Sequence, residues 1–111
     1  MPRQSIFDMQ TSKIYSALLQ KVERKGRSKE ELDTVIQWLT GYNMENVDLE
    51  IPYGDFFAKA PAMNPRADLI KGKVCGIEVS TIEDPLMQKV RWLDKLVDEL
   101  AKGKALEKIL R

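Results

Sequence analysis

The chain has 111 residues, which is the size of one compact domain, and we predict a single domain over residues 1–111. Hydrophobic residues at 43% and charged residues at 32% are typical of a globular protein and exclude a disordered chain or a fibrous repeat. Lys and Arg number 18 against 17 Asp and Glu, so the net charge of +1 gives only a weak electrostatic footprint for nucleic acid.

The first predicted helix covers residues 12–25. Thr11 or Ser12 is the expected N-cap, because a hydroxyl oxygen there can accept an N–H group left free at the helix start. Gly26 follows the last turn, where glycine commonly ends a helix. The expected core-facing residues recur every three or four positions and are Ile14, Leu18, Leu19 and Val22.

A capping box predicts where the second helix begins. Ser28 and Glu31 have the spacing at which each side chain bonds the backbone N–H of the other. The helix is expected to run to about Thr40, and Gly41 ends it. Because only a few residues separate the two helices, residues 12–40 are predicted to form an antiparallel helical hairpin.

The middle of the chain is interrupted by Asn, Pro and Gly every few positions. This pattern permits only short helical turns, at 44–50 and at 54–60. Phe56 and Phe57 are expected to anchor the second turn in the core, since one aromatic side chain buries about 150–250 Å². The β-branched residues and glycines that follow are compatible with a short β-hairpin around residues 68–80 or with an extended loop.

The longest predicted helix is the C-terminal one, at residues 85–102. Asp84 is the expected N-cap, and Pro85 takes the first helical position, where its missing N–H costs nothing. Trp92 and Leu96 widen the apolar stripe and favour burial in a helical bundle over a strict coiled coil. The stripe itself follows heptad spacing and consists of Leu86, Val90, Leu93, Val97 and Leu100. Gly103 ends this helix, and a further helical turn or two is expected at the C-terminus. The fold class is therefore mainly α.

Charge is segregated along the chain. Residues 21–29 hold five bases and one acid, whereas residues 30–58 hold seven acids and no base. Bases at the end of one helix and acids at the start of the next complement the two helix dipoles, which accounts for residues 21–33. The acids from Glu45 to Asp55 have no such explanation. A segregated layout can steer a partner or orient a self-complementary dimer.

The residue inventory excludes several kinds of chemistry. The sequence has no histidine and one cysteine, which removes His-dependent nucleophiles, His-bearing zinc sites and CxxC redox pairs. The sequence also contains no glycine-rich phosphate-binding loop of standard form. We expect no metal and no cofactor, and a binding role is favoured over an enzyme. With one cysteine and no apolar run of signal or membrane-span length, a cytoplasmic protein is expected.

Two groups of residues are candidate sites. Cys75 lies between Val74 and Gly76 with Lys73 nearby, so a reactive thiol is one interpretation and a small buried side chain is the other. Aromatic side chains cluster around the acidic stretch, where a groove would suit a cationic ligand or a peptide, although core packing is the commoner fate of such residues. The candidate groove residues are Trp38, Tyr42, Tyr53, Phe56 and Arg91.

Several sequence segments match those of a known family and occur in the same order along the chain. They are KGRSKEEL at 25–32, IQWLTGY at 36–42, FFAKAP at 56–61, NP at 64–65, VCG at 74–76, IEDPLMQ at 82–88 and LDKLVDELAKGK at 93–104. From about residue 14 to 111 the chain resembles the small bacterial family catalogued as domain of unknown function 2200. The resemblance implies a bacterial cytosolic protein with a mainly helical fold, and it carries over no activity, cofactor or catalytic residue. Residues 46–51 match the family pattern least well.

Three functional hypotheses remain open. The first is a binding or protein-interaction domain that forms a homodimer, in which charge changes at Val90 or Val97 would dissociate the dimer; a small-molecule or peptide ligand is compatible with it. The second is a small enzyme or thiol sensor that uses Cys75 with Lys73, Asp84 and Arg91. The third is nucleic-acid binding through residues 21–29, which the weak basic footprint does not favour. No membrane partner is expected.

Overall fold

The computed structural model describes residues 6–70, 72–74 and 77–110, and these residues form a mainly α fold. The helices in this part of the chain are α1 (Thr11–Arg24), α2 (Lys29–Thr40), α3 (Tyr53–Ala58), α4 (Pro85–Ala101) and α5 (Leu106–Ile109). Two short strands, β1 (Lys73–Val74) and β2 (Ile77–Glu78), and three 3₁₀ turns at Ile6–Asp8, Pro65–Leu69 and Val79–Thr81 complete the fold. The predicted fold class is confirmed.

The predicted helical hairpin is confirmed as α1 and α2. Ser28 Oγ accepts the backbone N–H of Glu31 at 3.2 Å, and Glu31 Oε1 accepts the backbone N–H of Ser28 at 3.2 Å, so the capping box is formed. Gly41 ends α2 with a φ of 79°, and a Cβ at this position would lie 2.7 Å from the Cβ of Ala62. Only glycine satisfies both the backbone angle and this close approach.

The start of α1 differs from the prediction. Gln10 is the N-cap and makes no side-chain cap bond, so neither Thr11 nor Ser12 takes that role. The N–H groups of Thr11 and Ser12 instead donate to the carbonyl oxygens of Ile51, at 2.9 Å, and Leu49, at 2.7 Å. Thr11 Oγ1 also donates to the carbonyl of Ile51, at 2.8 Å. Backbone carbonyls from the middle of the chain therefore cap α1.

Of the short helical turn permitted at 44–50, only one tight turn at residues 44–46 forms, and the rest of the stretch is a loop. Asn43 Oδ1 accepts the N–H of Glu45 at 3.0 Å, and Asp48 Oδ1 accepts the N–H of Glu50 at 2.9 Å. Such local side-chain acceptors compete with helical hydrogen bonds. The second expected turn is present as α3.

The long C-terminal helix is confirmed as α4. Asp84 Oδ1 accepts the N–H groups of Leu86, at 2.9 Å, and Met87, at 3.3 Å, and Pro85 takes the first helical position. The helix lies at the centre of the fold and contacts α1, α2, α3, α5, β1 and the turn at Val79–Thr81. The heptad stripe of α4 thus faces the other helices of the same chain.

This packing overturns one expectation about the dimer. Val90 and Val97 each have 0% exposure and belong to the hydrophobic core. They cannot form an interface between copies, since no surface of either side chain is accessible to a partner. An interface at Val90 or Val97 is therefore wrong, and burial within a bundle, the alternative favoured by Trp92 and Leu96, is confirmed.

The two strands lie within the segment for which a hairpin or a loop was expected. They pair antiparallel, with Lys73 opposite Glu78 and Val74 opposite Ile77. The side chain of Glu78 also accepts the backbone N–H of Gly72 at 3.0 Å. Residues 75–76 come between the strands and lie outside the described residues.

Candidate functional site

The predicted aromatic groove is divided between the interior and the surface. Tyr53 and Phe56 on α3 have 1% and 2% exposure and lie in the core with Phe57. Tyr42 is half-buried at the surface and stacks on Phe56, with ring centroids 4.4 Å apart. The ring of Tyr53 lies behind that of Phe56, at a centroid distance of 6.3 Å. The structure thus brings Tyr42, Tyr53 and Phe56 together, but only Tyr42 reaches the surface.

The other two predicted groove residues lie elsewhere. Trp38 on α2 is half-buried beside a separate depression of about 320 Å³, which Thr34, Gln37 and Leu110 also line. Arg91 lies on α4, where its Nη1 is 3.2 Å from Asp94 Oδ2. Neither residue lines the same depression as Tyr42.

Tyr42 is held in a fixed position. Its hydroxyl donates to the carbonyl oxygen of Phe56 at 2.6 Å, and one face of its ring packs on the Phe56 ring. Partial burial raises the pKa of Tyr42 above its ordinary value. A hydroxyl bond and a ring stack together restrict both the tilt and the rotation of the side chain, so Tyr42 presents a preorganised surface.

Tyr42 borders a groove of about 370 Å³, here called the Tyr42 groove. Its apolar side chains are half-buried, and its polar side chains are exposed at the rim. The apolar residues are Tyr42, Val47 and Ile51, and the polar residues are Asn43, Asn46, Asp48 and Lys59. An apolar surface with a few polar groups at its edge, at this volume, has the composition of a binding depression.

The groove wall is a loop fixed to α1. This acidic loop, residues 43–52, is held by the carbonyls of Leu49 and Ile51 that cap α1, and by a bond of 3.2 Å from Gln10 Nε2 to Glu50 Oε2. The N–H of Tyr53 donates in turn to the carbonyl of Met9 at 2.7 Å. These contacts hold the loop to the start of α1 without regular secondary structure.

The acidic loop contains three acids, Glu45, Asp48 and Glu50, and no base. It lies at the N-terminus of α1, where the helix dipole is positive and negative charge is favoured. No acidic residue of α1 itself occupies its first turn. The loop therefore places negative charge beside the start of α1, where the helix has no acidic residue of its own. This position gives the acids of the loop a role that the helix-dipole argument for residues 21–33 did not cover.

The opposite end of α1 is basic. Lys21, Arg24 and Lys25 lie there and are here called the basic end. Lys21 Nζ is 3.8 Å from Asp98 Oδ1, whereas Arg24 and Lys25 have no acidic partner in the part of the chain that the structure describes. At 1.5 Å per residue, the 14 residues of α1 separate the two charged ends by about 21 Å.

Comparisons with known proteins agree with this architecture. The family model for an uncharacterized protein conserved in bacteria, domain of unknown function 2200, matches residues 5–111. The chain belongs to this family. It is also similar to the crystal structure of uncharacterized protein SP1917, at 45% sequence identity and a TM-score of 0.90, over 98% of this chain and 93% of that chain. No protein with a curated description is a match.

The predicted resemblance to domain of unknown function 2200 is thus confirmed, and so are the bacterial family and the fold that it implied. The hypothesis of a thiol enzyme or thiol sensor depends on where Cys75 and its three proposed companions lie. Cys75, the candidate thiol, lies outside the described residues. Of its proposed companions, Asp84 caps α4 and Arg91 pairs with Asp94, while Lys73 is exposed on β1.

The proximity of the buried Tyr53 to the half-buried Asp94 was not foreseen from sequence. Burial raises the pKa of Asp94, and the neighbouring Arg91 guanidinium opposes that rise. Burial, and then the charge of Asp94, raise the pKa of Tyr53 well above its usual value. The Tyr53 hydroxyl has no hydrogen-bond partner among the described residues. The interior space that Tyr53 lines is only about 10 Å³, enough for one water molecule and too small for a substrate.

Within residues 6–70, 72–74 and 77–110, no three His, Cys, Asp or Glu side chains are placed to hold a metal ion together. The helices of the same ranges do not combine the length and the apolarity that crossing a bilayer requires.

Proposed function

We propose that this protein is a cytoplasmic protein-interaction domain whose Tyr42 groove binds a basic segment of a protein partner. The observation that carries the proposal is the fixed Tyr42 ring, which borders a groove of about 370 Å³ next to the acidic loop. Ring and loop are each held by hydrogen bonds, so a ligand would meet a surface that needs little reordering.

The chemistry of the groove favours a Lys or Arg side chain. The methylene groups of such a side chain can pack on Val47 and Ile51 while the cationic head stays near water and the Asp48 carboxylate. An aromatic ring such as that of Tyr42 adds a favourable site for a cation. The groove lining also holds one base, Lys59, but the three acids of the loop, Asp48 with Glu45 and Glu50, outnumber it. Their excess raises the local concentration of a positively charged partner.

The size of the groove favours a peptide segment over an enclosed small molecule. Its volume lies near the lower end of the range of about 300–1,000 Å³ that holds drug-sized ligands. Asn43, Asn46, Asp48 and Lys59 are all exposed, so a bound group would stay in contact with solvent. One or two side chains of a longer chain suit this surface.

Binding can be measured with a fluorescent hexalysine peptide, with hexaglutamate as the charge control. We expect wild-type protein to bind hexalysine at about 50 mM salt and to lose affinity as the salt concentration rises, because screening weakens exposed charge interactions. Glu45→Lys with Asp48→Lys should reduce the affinity at least tenfold. The matched control is Glu83→Lys with Glu107→Lys, which reverses the same number of charges at exposed positions outside the loop.

Two results would overturn the proposal. One is equal hexalysine affinity in the wild type and in the Glu45→Lys, Asp48→Lys variant. The other is the failure of folded wild-type protein to bind hexalysine at all at low salt. Circular dichroism of each variant establishes that it is folded before its affinity is compared.

A further inference from the structure

The exposed face of α1 joins the acidic loop to the basic end. Ser16, Ala17 and Gln20 are the exposed residues in the middle of this helix, and none of them is charged. Lys13 and Lys21 are the nearest charged residues of α1 on either side. The surface therefore runs from the acidic loop and Lys13, across a neutral and mostly small centre, to the basic end.

This face ends in two adjacent exposed cations, Arg24 and Lys25. Arg27 and Lys29, further along the chain, already pair with Glu31, at 2.6 Å, and Asp33, at 2.8 Å. Arg24 and Lys25, by contrast, are both exposed, and neither has an acidic partner among the described residues. Residues 24 and 25 are thus available to a groove that favours cations.

We propose that the basic segment bound by the Tyr42 groove is the basic end of α1 from a second copy of this chain, in a two-fold dimer with antiparallel α1 helices. This inference rests on the proposed function of the groove. The occupant is assigned by charge complementarity: the acidic loop beside the groove lies at the start of α1, and about 21 Å away, at the end of the same helix, Arg24 and Lys25 have no acidic partner among the described residues.

The antiparallel arrangement satisfies both charged ends. A two-fold axis across α1 places the acidic loop of each copy opposite the basic end of the other, so the same contact forms twice. With the axis midway between Ser16 and Gln20, Lys13 of one copy lies opposite Glu23 of the other. Parallel helices would instead place like charges together, and a head-to-tail contact would leave one groove and one basic end unused in each pair.

The neutral centre permits the helices to approach closely. Ala17 and Ser16 have small side chains, which allow two helices to pack without burying a charge. Since the remaining contacts are exposed ion pairs, we expect a dimer that dissociates as salt is raised. Ala17→Arg should weaken the dimer at least tenfold, because it puts a long charged side chain at the axis and leaves both charged ends unchanged.

The test uses charge reversal at each end of the full-length chain. In the first variant Arg24→Glu and Lys25→Glu make the basic end acidic, and in the second Glu45→Lys and Asp48→Lys make the loop basic. Sedimentation equilibrium at about 50 mM salt should show a wild-type dimer and two largely monomeric variants. An equimolar mixture of the two variants should form a heterodimer, because each reversed end then faces an opposite charge. Circular dichroism of each variant establishes that it is folded before the two variants are mixed.

The outcomes separate this inference from the proposed function. A wild type that stays monomeric at about 50 mM salt but binds hexalysine through the groove would overturn the dimer and leave the groove as a binding site. A dimer that survives either charge reversal or Ala17→Arg would also overturn it. A mixture that associates no better than either variant alone would contradict the pairing of loop and basic end. A heterodimer in the mixture, with loss of each homodimer, supports the inference.

Discussion

The α1–α2 hairpin and the acidic loop are neighbours in space, yet they are held in place by different kinds of interaction. The hairpin is stabilised within its own sequence: a capping box at Ser28, a glycine end at Gly41 and an ion pair from Lys29 to Asp33 four residues on. The loop is stabilised by carbonyls and side chains that bond residues 40 positions away in the chain. Irregular backbone can therefore be as well positioned as a helix when distant segments satisfy its polar groups.

The largest expected effect concerns the place where these two regions meet. Gly41→Ala should destabilise the protein by about 3 kcal/mol, because it combines a left-handed backbone with a Cβ only 2.7 Å from Ala62. Gly26→Ala is the matched control: its φ is +80°, but nothing lies within 4 Å of its Cβ, so about 1 kcal/mol is expected. Urea unfolding compares the two, and equal losses would contradict the close approach at Gly41.

Two tyrosines next to the loop should respond in opposite directions to loss of the hydroxyl group. Tyr42→Phe removes the 2.6 Å bond to Phe56 and should cost about 1 kcal/mol of stability. Tyr53→Phe removes a buried hydroxyl that has no partner and should add about 1 kcal/mol. Thermal unfolding of both variants gives the comparison. Destabilisation by Tyr53→Phe would mean that its hydroxyl is paired in solution.

The next change separates local from distant capping. Ser28→Ala removes the side-chain cap of α2 and should cost about 1 kcal/mol of stability. Thr11→Val removes the bond from Thr11 Oγ1 to the carbonyl of Ile51 and should cost a similar amount, about 1 kcal/mol. Only Thr11→Val should also weaken hexalysine binding, because it loosens the groove wall. If both variants bound the peptide as the wild type does, the loop would not depend on α1 for its position.

The smallest effect is a pH dependence within the hairpin. Burial, together with the hydrogen bond and charge of Asp33, raises the pKa of Tyr15 to about 12. A raised pKa means that this stabilisation is fully present below about pH 10, the pKa of an unfolded tyrosine, and is lost as pH rises toward 12. Because Tyr15 is partly exposed, we expect well under 1 kcal/mol. Tyr15→Phe should flatten the fall in stability between about pH 10 and pH 12, and an unchanged slope would contradict the assignment.

The parts of the fold that could be predicted are those whose signal is local. The capping box at Ser28, the Asp84 cap of α4 and the glycine ends at Gly26 and Gly41 each depend on residues within a few positions. The N-cap of α1 could not be found in this way, because its acceptors are the carbonyls of Leu49 and Ile51. Backbone carbonyls are present in every residue and leave no pattern in the sequence.

The candidate site was predicted only in part for a related reason. The cluster of aromatic residues near the acids correctly indicated that Tyr42, Tyr53 and Phe56 lie together. Composition does not reveal which ring of a stack reaches the surface, and Tyr53 and Phe56 lie inside. The one available signal was position: Tyr42 follows the end of α2, whereas the other two belong to a short helix whose aromatic residues were expected to anchor it in the core.

The most direct test of the central claim is a ¹H–¹⁵N correlation spectrum of the protein titrated with hexalysine at low salt. We expect the largest shift changes at the backbone amides of residues 42–51 and Lys59. The amides of Lys21, Arg24 and Lys25 should move as well, because the peptide displaces a second copy. Shift changes confined to other surfaces, or none with a folded protein, would contradict the assignment of the Tyr42 groove as the binding site.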